Sequence, residues 1–287
     1  EMAIGQWALV QRATKGWDNL IDLLGEVPPA APRTPLPTPK ALLDVQQATI
    51  VPPGEAQAAL RMISFTVQPG QAVGVIGPSG AGKSTLARAL TGVWRPAAGK
   101  IRLDGAALDN YEPAVLGQLI GYLPQRVQLF DGSIADNIAK LSLTPDPAKV
   151  VEAAKKADAH EMILKLPQGY DTPMSATSGR LSGGQIQRLG LARAMYGDPV
   201  ILVLDEPNSN LDNEGSQALN RAIRQMKSEG RSVLIMAHRP SAIQECDMLL
   251  MLENGGRVAY GPKDDVLREV VQNHKQIQAN KTPGGVR

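Results

Sequence analysis

The sequence predicts an α/β domain with a mainly parallel sheet. Short apolar, β-branched runs, AVGVI at 72–76, ILVLD at 201–205 and SVLIMAH at 232–238, read as strands buried on both faces. After each of them the pattern changes to a helix or a turn, the alternation that builds a parallel sheet. Between Gln125 and Arg180 the strand signals vanish and helical patterns replace them, so a helical insertion interrupts the core.

The bulk numbers leave room for this fold and exclude little else. At 287 residues the chain is long enough to bury a substantial core. Thirty Lys and Arg against 28 Asp and Glu give a net charge of +2, too balanced for a protein that binds nucleic acid by neutralising phosphates. The one cysteine, Cys246, forms no internal disulfide and belongs to no Cys/His cluster, which fits a reducing compartment. The longest apolar runs, such as VILVL at 200–204, fall far short of the roughly 18 residues that span a bilayer. No basic flank followed by an apolar stretch opens the chain as a signal peptide would. It begins at Glu1 rather than at a methionine, so we expect a fragment of a longer protein.

In the first 27 residues Val10, Ala13, Trp17, Leu20 and Leu24 recur at helical spacing, interleaved with Arg12, Lys15, Asp18 and Asp22. This amphipathic helix is either a packing element of the domain or the cytoplasmic end of a preceding membrane segment, and the second is our expectation. PPAAPRTPLPTP at 28–39 holds six prolines in twelve residues, so residues 28–40 form an extended linker. The α/β domain then runs over residues 41–270, with a helical subdomain at about 126–185 and a tail at 271–287. Within the subdomain SIADNIAK and DPAKVVEAAKKADAHEMILKL read as helices, the second ending near Pro167 and Gly169.

GPSGAGKS, Gly77 to Ser84, follows the AVGVI strand and opens the helix STLARAL. Strand, glycine-rich loop and helix in that order make a complete phosphate loop, whose bare N–H groups wrap phosphates. Lys83 supplies a point charge for the β- and γ-phosphates, and the Ser84 hydroxyl suits Mg²⁺. In VILVLDE, Asp205 ends a buried strand where it can hold the Mg²⁺ shell, and Glu206 beside it is placed to polarise an attacking water. Alone, that acidic pair equally suits the start of a turn at Pro207. His238 closes SVLIMAH and is either a structural hydrogen-bonder or, from the sheet edge that carries Lys83 and Asp205, a contact to the γ-phosphate. His160 and His274 sit among polar neighbours in predicted helices and receive no role. LSGGQIQR at 181–188 puts a second pair of glycines ahead of a helix, a further anion-binding arrangement.

A phosphate loop, a helical insertion, LSGGQIQR and then an Asp-Glu strand together resemble the ATP-binding cassette (ABC) ATPases, over residues 42 to about 270. The resemblance implies a P-loop NTPase cassette with a mainly parallel core sheet, an N-terminal antiparallel β part and a helical subdomain. Its cofactors are ATP and Mg²⁺. It also implies that two copies pair head to tail, the signature of one capping the nucleotide held by the other. ATP contacts then fall to Gly77, Pro78, Ser79, Gly80, Ala81, Gly82, Lys83, Ser84 and Thr85 in one copy, and to Ser182, Gly183, Gly184 and Gln185 from its partner. Catalysis falls to Glu206, Lys83, His238 as switch histidine and Gln125, the loop glutamine that senses Mg²⁺ and couples to a membrane domain. The metal is assigned to Ser84, Gln125 and Asp205, and Ser209 to Asp212 occupy the loop that contacts the opposite site.

LFDGSIADNIA after the loop glutamine resembles exporters, and LDEPNSNLD resembles the ATPases of type I secretion systems for proteases and lipases. The expected partners are therefore a second copy, membrane domains of the same transporter, a periplasmic adaptor, an outer-membrane channel and an exported protein, with no nucleic acid. The expected place is the cytoplasmic face of the bacterial inner membrane. An importer ATPase docking on a separate permease and a soluble ABC switch are the alternatives. Two positions depart from the exporter pattern: ATIVPP offers only Ile50 and Val51 where an aromatic would stack on adenine, and SATSGR, before the signature, carries no acidic residue.

Overall fold

The computed structural model describes residues 7–26, 35–174, 181–238 and 240–269. It divides into two compact units, residues 1–35 and 36–287. The first contains α1 (Trp7–Glu26), a helix whose side chains Trp7, Trp17, Ile21 and Leu24 are exposed. Most of the proline-rich stretch and the tail beyond 269, with His274, lie outside the described residues, as does SATSGR.

The second unit is organised around a six-stranded sheet in the order β12-β11-β3-β10-β9-β6. Its parallel members are β3 (Ala72–Ile76), β6 (Ile120–Leu123), β9 (Ile201–Asp205), β10 (Ser232–Met236) and β11 (Met248–Glu253); β12 (Gly256–Pro262) adds to β11 as an antiparallel edge. Successive side chains of a strand point to opposite faces, and the central strands use both. Leu202, Leu204, Val233 and Ile235 join one apolar core, while Val73, Val75, Val203, Leu234 and Met236 join another. Their near-continuous apolar spelling follows from that double burial.

The second core is closed by α2 (Lys83–Leu90) and by a four-stranded antiparallel sheet, β2-β1-β4-β5, formed by β1 (Leu43–Ile50), β2 (Leu60–Val67), β4 (Ala98–Leu103) and β5 (Ala106–Ala107). Gln47 and Met62, at φ +47° and +48°, accompany irregularities in the β1–β2 register. A bulge that breaks the two-residue period hides a strand from pattern reading. The helix α3 (Pro113–Leu119) leads into β6.

The first core is closed by the insertion: α4 (Ile134–Ile138), α5 (Pro147–Lys156), α6 (His160–Leu164) and, from the signature onward, α7 (Gly183–Met195). Two features differ from the sequence expectation. The expected long helix after Asp146 is two, because Asp158 at φ +55° breaks it between α5 and α6. The insertion also contains strands, the two-residue pair β7 (Gly132–Ser133) and β8 (Pro173–Met174), too short to leave a periodic signal. Finally α8 (Asn213–Ser228) connects β9 to β10, with Leu219, Ala222, Ile223 and Met226 packed on the first core.

Candidate nucleotide site

The loop Gly77–Gly82 joins β3 to α2 at the carboxyl end of the parallel sheet, where α/β folds bind ligands. Gly77 and Gly82 lie at φ +153° and +101°. A Cβ at Gly77 would come within 2.2 Å of the Leu252 carbonyl oxygen, and one at Gly82 within 2.4 Å of Leu60 Cδ2. Conformation and space both demand glycine there. Pro78, Ser79 and Gly80 are exposed at the loop crest, and Ala81 is buried beneath. Lys83, 6% exposed, curls back so that Nζ donates to the carbonyls of Gly77 and Pro78 at 2.8 and 2.9 Å. Burial holds its pKa below the usual lysine range, against the pull of Glu206 and Asp205.

Those two acids arrive from β9. In the parallel ladder Asp205 pairs with Met236 of β10, and Met236 with Val75 of β3, so the three strands deliver their ends side by side. Asp205 is 3% exposed, and burial raises its pKa while the Ser84 hydroxyl, hydrogen-bonded to the carboxylate, lowers it. Its Oδ1 meets no hydrogen-bond partner among the described residues. An orphaned, buried carboxylate oxygen beside a serine hydroxyl is a hard-oxygen donor set that suits Mg²⁺.

Glu206 sits at φ +51°, a conformation costly for a residue with a Cβ, and its N–H donates to Met236 O at 3.0 Å. That backbone twist turns the carboxylate toward two neighbours. Gln125 Nε2, from the loop after β6, donates to Oε2 at 3.0 Å, and His238 Nε2, two residues past β10, lies 2.9 Å from Oε1. With its proton on Nε2, the imidazole is a donor to the carboxylate. The fold thus brings Lys83, Ser84, Gln125, Asp205, Glu206 and His238 to one end of the sheet from four separate segments.

The signature forms a second cluster. Ser182 caps α7: its Oγ accepts from Gln185 N at 3.3 Å while Gln185 Oε1 accepts from Ser182 N at 2.8 Å. This capping box leaves Ser182 and Gly183 exposed at the helix N-terminus. Asn210 packs against both signature glycines, its backbone oxygen 3.2 Å from a Cβ built on Gly184. Asp212 in turn caps α8, accepting from Gly215 N at 2.7 Å.

Sequence reasoning missed the buried amides that tie these parts together. Gln187, 2% exposed on α7, donates to Pro207 O at 3.2 Å, next to Glu206. Asn137, 1% exposed, accepts at Oδ1 from Phe130 N and donates to the carbonyls of Phe130 and Ser133, all at 2.9 Å. Arg193 near the end of α7 donates to Asn137 O, Asn137 Oδ1 and Gln128 O at 2.7–2.8 Å. His160 pairs with the Tyr170 hydroxyl at 2.8 Å inside the insertion, away from any site assignment. Ile50, one of the two residues expected against adenine, is fully buried in the antiparallel core, which leaves only the half-buried Val51.

The family model described as ABC transporter matches residues 60–209. The type I secretion system ATP-binding protein PrsD of Rhizobium meliloti is 47% identical over 280 residues, 98% of this chain and 48% of that protein. An ATP-dependent lipid A-core flippase of Saccharophagus degradans is 36% identical over 263 residues, 91% of this chain and 44% of its own length. Among solved structures, a bacterial Atm1-family ABC exporter with ATP bound superposes with a TM-score of 0.81 at 31% identity, over 93% of this chain and 47% of that one. The chain spans about half the length of the curated relatives it matches. The chain belongs to the ABC transporter family.

Proposed function

We propose that two copies of this chain bind two ATP molecules head to tail, hydrolyse them, and use the cycle to drive protein export through attached membrane domains. The observation that carries the hydrolytic reading is Glu206, held between Gln125 and His238 and adjoining Asp205. In this reading Glu206 takes the proton of the attacking water, a role that positions a carboxylate within hydrogen-bond reach of the nucleophile. His238 steadies Glu206 and donates to the γ-phosphate. Lys83 exchanges the Gly77 and Pro78 carbonyls for phosphate oxygens, and the N–H groups from Ser79 to Thr85 wrap the remainder. Ser84, Asp205 and Gln125 would hold Mg²⁺, which when bound would supply positive charge against the phosphates. Ser182, Gly183, Gly184 and Gln185 present the positive end of α7 to the ATP of the other copy.

Secretion of protein is supported by the 47% identity to PrsD, higher than the 36% to the lipid flippase. On this reading the natural protein sits at the cytoplasmic face of the inner membrane, residues 1–27 continue a membrane segment, 28–40 link it to the cassette, and an adaptor and outer-membrane channel complete the path. The test has two parts. The purified chain is expected to hydrolyse ATP in the presence of Mg²⁺, and Glu206→Gln to bind ATP but turn over about 10²–10⁴-fold more slowly. In the source bacterium the same substitution is expected to remove specific proteins from the culture medium. Wild-type turnover in Glu206→Gln refutes the catalytic assignment; an unchanged set of secreted proteins, with lipid transport altered, refutes the cargo.

A further inference from the structure

The turn after β9 contains a buried amide that the site above leaves without a task. Asn208 is 7% exposed, and its Oδ1 is buried and meets no hydrogen-bond partner among the described residues. The side chain has little freedom to escape, because the turn is pinned on three sides. Gln187 donates to Pro207 O, Glu206 N to Met236 O, and Ser209 N to Glu206 O at 3.2 Å. Leaving such an oxygen unpaired carries its full desolvation penalty.

Beside Asn208 lies a pocket of about 70 Å³, partly open to solvent and lined by Glu206, Asn208, Ser209, Ala237, His238 and Ala242. At roughly 30 Å³ per molecule of liquid water, it has room for about two waters. Its lining residues also carry the polar acceptors that an ordered water needs for its two hydrogens, the Asn208 oxygen and the Glu206 carboxylate. We propose that Asn208 is a positioning residue that holds a water behind the Glu206–His238 pair, an inference that rests on the ATPase reading above. The water donates one hydrogen to Asn208 Oδ1 and the other to the Glu206 carboxylate. It thereby holds the carboxylate in one rotamer, independently of Gln125 and His238. Asn208 acts through Glu206 and touches no substrate.

Two substitutions of opposite character test this. Asn208→Leu keeps the branched shape and heavy-atom count but puts bulkier methyls in place of the polar atoms and displaces the water; Asn208→Ser removes packing yet leaves a hydroxyl and room for water. If the water matters, Leu is the worse change: kcat falls about tenfold or more with KM for ATP within about twofold, while Ser stays within about threefold of wild type. Leu turning over as fast as Ser overturns the proposal. A high-resolution crystal structure of the unsubstituted chain gives a readout independent of turnover. Density for a water within hydrogen-bond distance of both Asn208 Oδ1 and Glu206 supports the assignment, and a pocket without one overturns it. Absence of ATPase activity in the wild type refutes the underlying reading instead, while the crystallographic arm still reports on the water.

Discussion

Arg193→Met removes the joint between the signature helix and the segment that follows Gln125. Methionine matches much of the arginine's length and apolar stem, so the change isolates the guanidinium. Three hydrogen bonds vanish: Nε to Asn137 O, Nη2 to Asn137 Oδ1 and Nη1 to Gln128 O. So does the stacking of the guanidinium 5.1 Å from the Phe130 ring centroid. The Gln128 contact is exposed, and water replaces it at little cost. Both bonds to Asn137 lie in the part-buried interior and are of the charge-assisted kind, about 1.5–3 kcal/mol each. Against that loss stands the relief of a desolvated cation, since burial lowers the Arg193 pKa. Asn137 Oδ1 also keeps its bond from Phe130 N, so it is not orphaned. The net is a destabilisation of about 2–3 kcal/mol. For a domain of this size that corresponds to a drop in Tm of roughly 5–10 °C. Differential scanning calorimetry or urea denaturation of wild type and variant measures it. Arg193→Lys, which restores the charge but not the fork of donors, is expected to recover less than half. A variant melting within about 2 °C of wild type refutes the idea that this hub carries the α4–α7 junction.

Two further outcomes follow from packing. Gly121→Ala places a Cβ 2.1 Å from the Ala194 carbonyl oxygen and 3.0 Å from Leu202 Cδ1, so α7 must lift off β6. Overpacking against backbone is expected to cost about 3 kcal/mol in urea denaturation, and a cost under about 1 kcal/mol contradicts the close approach. Cys246 is 3% exposed and burial pushes its thiol pKa up to about 12. A disulfide-exchange reagent at neutral pH is therefore expected to label it only at the rate of unfolding, and complete labelling of the native protein within minutes contradicts the burial.

What the sequence made legible follows from where each signal resides. The phosphate loop, the signature and the Asp-Glu strand are contiguous words, because glycine is required by backbone geometry and Asp205 by its place at a strand end. β3, β9 and β10 were readable because both of their faces are buried, which forces apolar residues at all but their polar ends, Ser232 and Asp205. The edges of the insertion were not readable, since β7 and β8 are two residues each and only their pairing makes them strands. Gln187 and Arg193 spell like surface residues, and their partners lie 20 to 65 positions away along the chain, so nothing local marks them as part of the interior. Ile50 shows the converse: an apolar residue next to a predicted ligand site turned inward, because the strand pairing with Leu60 places it in the antiparallel core.

The side-by-side register of β3, β9 and β10 sets rules for which lengths of this gene can drift. Side chains alternate along a strand, so one codon gained or lost inside β9 or β10 turns every later residue of that strand to the opposite face. Such a change before Asp205 would swing that carboxylate and its orphaned oxygen away from Ser84, and one before Met236 would carry His238 off Glu206. The exposed turn at Leu141–Thr144 meets no such constraint, because added residues there only lengthen a connection between α4 and α5. Length changes, like tags or inserted reporters, should therefore be tolerated around residue 143 and lethal to the site within five-residue strands some sixty positions later.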